Sequence, residues 1–279
     1  MLRCGQVEVH QVPTWTDNLV WLMVVRSTGE AAAVDGPEAG PVLDYCRTHG
    51  FRLTTIFNTH THADHIGINR DLEKRGLLSS MRVVGCAARR ADIPGLNEPV
   101  SDGDEISFGN LSGQVLLTEG HIDGHISFLF EDALFCGDTL FTGGCGYLFD
   151  GPPSKMWASL ERLSRLPPDT WVCCAHEYTE DNLRFAWSIE PENQELAQRI
   201  SSVWRRRARG ECVVPSTIGE ELATNPFMRS GHGFMARRLE ELVGVDGFVE
   251  PGEVFAAMRD LKDQKLYRSI PDSDLPTHS

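Results

Sequence analysis

Through its first 176 residues the chain alternates short apolar runs with turn residues. Residues 6–12, 18–26 and 30–35 are rich in Val, Trp and Leu and read as three strands. A helix opens near Pro41, which suits a first helical position, carries Val42, Leu43, Tyr45 and Cys46, and stops at Gly50. Residues 51–57 read as a strand and residues 65–75 as a helix. Short strands are predicted at 81–86, 105–108, 113–117, 125–130 and 133–136, with Asp102-Gly103-Asp104 and Phe108-Gly109-Asn110 as turns. From Ser154 the period lengthens: Met156, Trp157, Leu160 and Leu163 share one helical face, and Pro167-Pro168 end it. Residues 171–174 form the last predicted strand. Helices are predicted at 180–189, 193–209, 217–223, 233–243 and 251–266. Strands interleaved with helices, then helices alone, imply a layered α/β domain over residues 1–176 and a helical one over 177–279.

One stretch breaks the pattern. His60-Thr61-His62-Ala63-Asp64-His65 packs three imidazoles and a carboxylate into six positions. Neutral imidazole and carboxylate are ligands of borderline first-row cations such as zinc. If the chain stays extended for one step past the strand at 51–57, His60 and His62 point to the same side, because strand side chains alternate with period two. Asp64 and His65 are adjacent and cannot face one way on a strand, but the first turn of a following helix can bring both to a second point nearby. The spacing suggests two metals. A lone histidine is ordinarily a core or surface residue; four potential ligands in six positions at a strand end are not.

Three more segments carry candidate ligands just after a predicted strand: Gly120-His121-Ile122-Asp123-Gly124-His125, Cys136-Gly137-Asp138-Thr139 and Ala175-His176-Glu177. Strand ends converge on one edge in layered folds, which is where sites assemble. Alone, an Asp in Gly-Asp-Thr is a turn or cap residue. Its recurrence in the same setting as the His60 run makes it a ligand candidate.

The net charge of -14 argues against nucleic acid or an anionic membrane as a partner. The basic run Arg205-Arg206-Arg207-Ala208-Arg209 reads as a solvated helix end stopped by Gly210. No apolar segment has the length of a membrane span. The eight cysteines form no C-x-x-C pair, and the N-terminus lacks a basic region followed by an apolar run. Free thiols in a reducing cytoplasm are expected. There is no Gly-x-Ser-x-Gly elbow.

The order Thr-His-x-His-x-Asp-His, Gly-His-x-x-Gly-His, Gly-Asp-Thr-Leu-Phe and His-Glu-Tyr-Thr resembles the metallo-β-lactamase superfamily. Within it the chain is similar to glyoxalase II, the hydroxyacylglutathione hydrolases. That match rests on Gly144-Cys145-Gly146, Leu166-Pro167-Pro168-Asp169-Thr170, His176-Glu177-Tyr178-Thr179-Glu180-Asp181-Asn182-Leu183, Val214-Pro215-Ser216-Thr217, Asn225-Pro226-Phe227-Met228-Arg229 and Arg259-Asp260-Leu261-Lys262-Asp263. The resemblance implies a four-layer αββα sandwich followed by a C-terminal all-helical domain that binds substrate. It also implies two divalent transition-metal ions, zinc first, with iron or manganese as alternatives. One ion would be held by His60, His62 and His121 and the other by Asp64, His65 and His176. Asp138 would bridge them together with a water or hydroxide. Asp64 and Asp138 are then the catalytic carboxylates, and His125 has a supporting role.

The implied reaction is hydrolysis of a glutathione thioester, such as S-D-lactoylglutathione, by hydroxide on the paired metals. It yields glutathione and D-lactate, the second step of methylglyoxal detoxification. The alternatives are a hydrolase of another thioester and a persulfide dioxygenase, which uses one iron and lacks the helical tail. The substrate contacts implied are Tyr147, Phe149, Tyr178, Arg259 and Lys262. Tyr147 stands where the family carries a basic residue, so a cation is replaced by a neutral phenol. Arg259 and Lys262 lie one helical turn apart and can face the same way. A monomer whose only partner is its small-molecule substrate is expected.

Overall fold

The computed structural model describes residues 2–4, 7–244 and 247–277, with side chains from residue 7 onward. Gln6, where the first strand was expected to open, and the Cys4 side chain lie outside the described residues. Two mixed sheets are stacked face to face. The first takes β1 (Leu2–Cys4), β2 (Val7–Thr14), β3 (Asn18–Val25), β4 (Glu30–Val34), β5 (Arg52–Asn58), β6 (Arg82–Cys86) and β7 (Glu98–Val100), in sequence order. Its pairing is antiparallel as far as β4 and parallel beyond. Each parallel step needs a crossover, and the helices α1 (Gly40–His49) and α2 (Ala63–Lys74) supply the first two.

The second sheet draws on β8 (Glu105–Phe108), β9 (Leu111–Leu117), β10 (Ile126–Phe130) and β11 (Ala133–Gly137). A separate hairpin, β12 (Leu140–Phe141) with β13 (Gly144–Cys145), and helix α3 (Pro153–Leu163) follow. The chain then returns as β14 (Trp171–Cys174), parallel to β11. Helices α4 (Thr179–Ile189) and α5 (Gln194–Arg207) come next, then a last strand, β15 (Ser216–Thr217), so the sheet runs β15-β14-β11-β10-β9-β8. Helices α6 (Ile218–Thr224), α7 (Gly233–Val243) and α8 (Pro251–Gln264) follow, and then two short 3-10 turns, Leu266–Ser269 and Asp272–Asp274.

The layering follows from residue alternation. All eight residues of β3 are buried, as a strand covered on both faces requires. Leu19, Trp21, Met23 and Val25 join the core between the sheets, where Phe57 meets Phe128 edge to face at 5.1 Å. Val20, Leu22 and Val24 pack with Val42 and Cys46 of α1 and Ile66, Ile68 and Leu72 of α2. On the far side, Met156, Leu160 and Leu163 of α3 share the main core with Met235 and Leu239 of α7 and Val254, Phe255 and Met258 of α8. The helical region therefore lies against the second sheet and lends it β15.

The expected elements are present with ends shifted by a residue or two. The additional strands β1, β7, β12, β13 and β15 are two or three residues long, too short for a period to register. The basic run at the end of α5 is paired with acids: Arg207 with Glu180 at 3.0 Å, and Arg206 and Arg209 with Glu211 at 3.4 and 2.6 Å. The seven described cysteine side chains are free thiols. Among the described residues no helix is long and apolar enough to cross a membrane.

Glu221 of α6 is fully buried and ties this arrangement together. It pairs with Arg199 of α5 at 2.5 Å, while its other oxygen accepts from Gly143 N at 2.8 Å and Asn225 Nδ2 at 2.9 Å. Removing one member of a buried pair leaves the other charge without compensation. Glu221→Ala is expected to destabilise the fold by about 3–5 kcal/mol, read as a lower urea midpoint at unchanged slope.

Candidate metal centre

At one edge the two sheets are joined by direct hydrogen bonds. Leu19 N donates to Ala175 O at 2.7 Å, Ile126 N to Thr59 O at 2.9 Å and Trp21 Nε1 to Cys174 O at 2.9 Å. The C-terminal ends of β5, β11 and β14 open here, together with the loop after β9, and each carries one of the ligand segments. Gly137, in the left-handed region at φ 47°, turns the chain out of β11, and a Cβ there would strike Thr59 and His125. Helix α2 starts at Ala63, with extended His62 as its N-cap, so Asp64 and His65 fall in its first turn as the sequence required.

The seven expected ligands fall into two groups. His60 Nε2 and His121 Nε2 lie 3.1 and 2.9 Å from His62 Nδ1, and His121 Nε2 is 3.4 Å from Asp138 Oδ2. His176 Nε2 and His65 Nε2 lie 3.3 and 3.5 Å from Asp64 Oδ2, and 3.5 and 3.4 Å from Asp138 Oδ1. The two oxygens of Asp138 thus face different groups. The sets His60, His62, His121, Asp138 and Asp64, His65, His176 each keep their donor atoms within 4.8 Å of one another. Ligands about 2.0–2.1 Å from a tetrahedral zinc stand roughly 3.3 Å apart, the scale seen here.

Partners behind the imidazoles fix which nitrogen faces inward. Carboxylates and carbonyls only accept, so His65 Nδ1 donates to Asp35 Oδ2 at 2.9 Å, His176 Nδ1 to Asp17 Oδ1 at 2.8 Å and His121 Nδ1 to Tyr147 O at 2.7 Å. Thr59 Oγ1 donates to Asp35 Oδ2 at 2.6 Å and therefore accepts from His60 Nδ1 at 3.0 Å. Each of these four rings presents a bare Nε2, the arrangement by which neighbouring groups orient metal-binding histidines. His65 Nε2 and Asp138 Oδ1 are buried without a hydrogen-bond partner, a costly state that a cation between the groups relieves. The donor set therefore fits a pair of metal ions.

Electrostatics agrees. Burial, reinforced by the neighbouring imidazoles, holds His60 well below the ordinary imidazole pKa, and burial also lowers His121. Burial opposes charge on His65 too, but Asp138 and Asp35 outweigh it and raise that ring well above the ordinary value. Asp138 stays far below the usual carboxylate range despite burial, through the charges of His65 and His176. Proton and metal compete for the same lone pairs. Both ring nitrogens of His125 are engaged within the protein: Nε2 accepts from Asp138 N at 3.2 Å, and Nδ1 faces Thr118 and Thr139 hydroxyls at 3.1 and 3.2 Å.

A cavity of about 440 Å³ lies beside the centre, walled by Phe141, Cys145, Tyr147, Tyr178 and residues of α4 and α8. Tyr178 stacks on His176 with centroids 4.8 Å apart, and Phe149 stands edge-on to His62 and His121 at 5.1 and 5.2 Å. Arg259 and Lys262 reach the same cavity, though both are buried. Arg259 donates to Asp263 at 2.5 Å, and Lys262 Nζ is 3.5 Å from Asp181 and 3.4 Å from Tyr267 OH.

Sequence reasoning missed Asp35, Asp17, Asn18 and Thr59. Asp35 is the most consequential: its carboxylate takes Thr59 N at 2.8 Å, Thr59 Oγ1 and His65 Nδ1, from a left-handed backbone at φ 56°. It follows directly on β4, as the candidate ligands follow their strands, but no histidine stands beside it in the sequence. Asn18 Nδ2 donates to Asp64 Oδ2 at 3.0 Å.

The family model for the metallo-β-lactamase superfamily matches residues 27–176, and that for the hydroxyacylglutathione hydrolase C-terminus matches residues 177–265. A hydroxyacylglutathione hydrolase from Methylococcus capsulatus is 46% identical over 259 residues, covering 92% of this chain and 98% of its own length. One from Gloeobacter violaceus is 45% identical over 258 residues, covering 92% and 99%. Among solved structures, ETHE1 from Myxococcus xanthus superposes with a TM-score of 0.60 at 24% identity, covering 97% of this chain and all of that one, a likeness of fold. With relatives this similar along nearly their full length, and with both family models matched in order, the chain belongs to the hydroxyacylglutathione hydrolase family of the metallo-β-lactamase superfamily.

Proposed function

We propose that this chain is a hydroxyacylglutathione hydrolase, a thioester hydrolase that takes S-D-lactoylglutathione to glutathione and D-lactate. The observation that carries this reading is Asp138, whose oxygens face two separate ligand groups beside a cavity lined by cations. His60, His62 and His121 would hold one ion and Asp64, His65 and His176 the other, with Asp138 between them. Zinc is favoured by the nitrogen-rich donor set, with iron or manganese as alternatives. The catalytic domain runs over residues 1–176, and residues 177–279 supply the substrate-binding helices. We infer a monomer that acts in the cytoplasm.

Two such ions supply a water acidified toward neutral pH and a Lewis acid for the thioester carbonyl. The chain's own residues do the rest. Asp35, Asp17 and the Tyr147 carbonyl keep the imidazoles oriented, and Asn18 steadies Asp64. Tyr178, Phe149 and Tyr147 flank the approach to the centre, and Arg259 and Lys262 attract the anionic end of the thiol carrier. The leaving thiolate has a conjugate acid near pKa 8.5, about that of a free cysteine, so no strong general acid is needed.

Purified protein supplied with metal is expected to hold close to two transition-metal ions per chain. Asp138→Ala is expected to lower that content and to cost more turnover than His121→Ala, because both groups lose their shared anion. A stoichiometry that stays at one with activity intact would overturn the two-metal reading.

Lys262 gives a second test. Burial pushes its ammonium down to about 8; Asp181 opposes this and Arg259 reinforces it, with Cys145 and Tyr267 also close. Below that pH Lys262 is charged and attracts an anionic substrate; above it the charge is lost. The profile of kcat/KM, which reports the free enzyme, should fall as pH rises past about 8. Lys262→Arg, which stays protonated, should move that fall upward. A limb that does not move on substitution would assign it to another group.

A further inference from the structure

The cavity beside the centre is lined by four cationic side chains, Arg259, Lys262, Lys265 and Arg268, against two carboxylates, Asp181 and Asp263. In a chain of net charge -14 this is a local excess of positive charge. The four cations are not equivalent. The Arg259 and Lys262 side chains are 6% and 8% exposed, each lies against a carboxylate, and they sit over the rings of Phe227 and of Phe185 and Tyr267. Arg268 is 53% exposed and gives only Nε to Asp181, at 2.8 Å, leaving most of its five N–H donors uncommitted to that carboxylate. Lys265, exposed at the C-cap of α8, lines the same wall.

These two open cations come from the end of the chain, at and beyond residue 265, where the family model for the C-terminal region stops. That segment is held in place. Tyr267 OH donates to Asp181 at 2.6 Å, Arg184 donates to Ile270 O at 2.5 Å and pairs with Asp272, and Trp187 Nε1 donates to Asp274 O at 3.2 Å. Leu275 is buried with Leu183, Leu196 and Ile200. Arg268 is thus anchored through its own Nε and its neighbour Tyr267 to the carboxylate of α4 that also faces Lys262. The half-exposed phenol of Tyr147 lines the same cavity.

We propose that Arg268 and Lys265 form a carboxylate-binding rim that selects thioesters whose thiol half ends in a free carboxylate, here the glycyl end of glutathione. This rests on the thioester hydrolase reading above. The planar guanidinium suits a carboxylate through two parallel N–H donors, and the exposed ammonium adds attraction without fixed geometry. The two exposed cations thus add to the attraction exerted by the buried Arg259 and Lys262.

The test uses the full-length protein and S-hexylglutathione, a ligand that cannot be hydrolysed, with binding followed by calorimetry. Lys265→Gln and Arg268→Gln should each weaken binding about threefold, and the double variant about tenfold, the size expected of exposed ion pairs. Arg268→Lys should recover part of the loss. The differences should shrink in high salt and vanish for S-hexylglutathione esterified at its glycyl carboxylate. For S-D-lactoylglutathione the loss should fall on KM rather than kcat, as for a contact made equally in ground and transition states. A double variant that binds the free acid as tightly as the native protein overturns the rim. So does one that loses affinity equally for acid and ester, which makes these residues structural. If the native protein binds neither S-hexylglutathione nor its ester, the glutathione reading fails and the rim falls with it.

Discussion

Seven side chains bring lone pairs to bear on two neighbouring points at the edge of a stacked pair of sheets. His60 Nε2, His62 Nδ1 and His121 Nε2 are 2.9–3.1 Å apart in sequence of contact, and Asp138 and Asp64 add two buried or half-buried carboxylates. The imidazoles repel one another when charged, so burial and their neighbours keep His60 and His121 deprotonated, with lone pairs crowded together. Bound cations would engage those lone pairs, but the protein must hold the geometry by other means. It does so from behind, with Asp35, Asp17, Thr59 and the Tyr147 carbonyl each engaging the nitrogen that faces away from the centre. The strain this demands is visible in Asp35, a non-glycine residue held in the left-handed region.

The helical region reaches the same centre through the β12–β13 hairpin. Glu221 accepts from Gly143 N, Asn225 Nδ2 donates to Gly144 O at 3.0 Å, and Asn182 Nδ2 donates to Thr142 O at 3.1 Å. The hairpin carries Phe141 and Cys145 into the cavity wall and leads directly to Tyr147, whose carbonyl orients His121. Packing of α4 and α6 is therefore coupled to the position of His121, a candidate ligand. Helix α8 brings Arg259 and Lys262 to the wall of the same cavity, so the helical region shapes both the candidate metal centre and the cavity beside it.

Much of this was legible in the chain itself. The His60 run lies beyond a strand, so alternation alone placed His60 and His62 together, and the helix that follows placed Asp64 and His65 at the second point. The basic run closing α5 also lies at the surface, as its helix-end position and the following Gly210 suggested. The partners behind the ligands did not. Asp35 lies 30 residues before His65, and Asp17 lies 159 before His176, with no periodicity linking them. The state of Arg259 and Lys262 was equally hidden: a charged helix face and a buried, paired one have the same sequence spacing.

The sequence by itself determined the order of elements, the two-faced burial of β3 and the identity of the atoms available to a metal, because these depend on residue type and on local periods of two and 3.6. Only the tertiary structure decided how the ligand segments meet, since β5, β11, β14 and the loop after β9 come together through hydrogen bonds between sheets rather than through any local rule. It also decided which charges stay in water. Lys262 and Arg268 are both basic residues in a helical tail, yet Phe185, Tyr267 and Asp181 enclose the first and leave the second open. Burial is set by what packs around a side chain, and that is fixed only when distant segments have found one another.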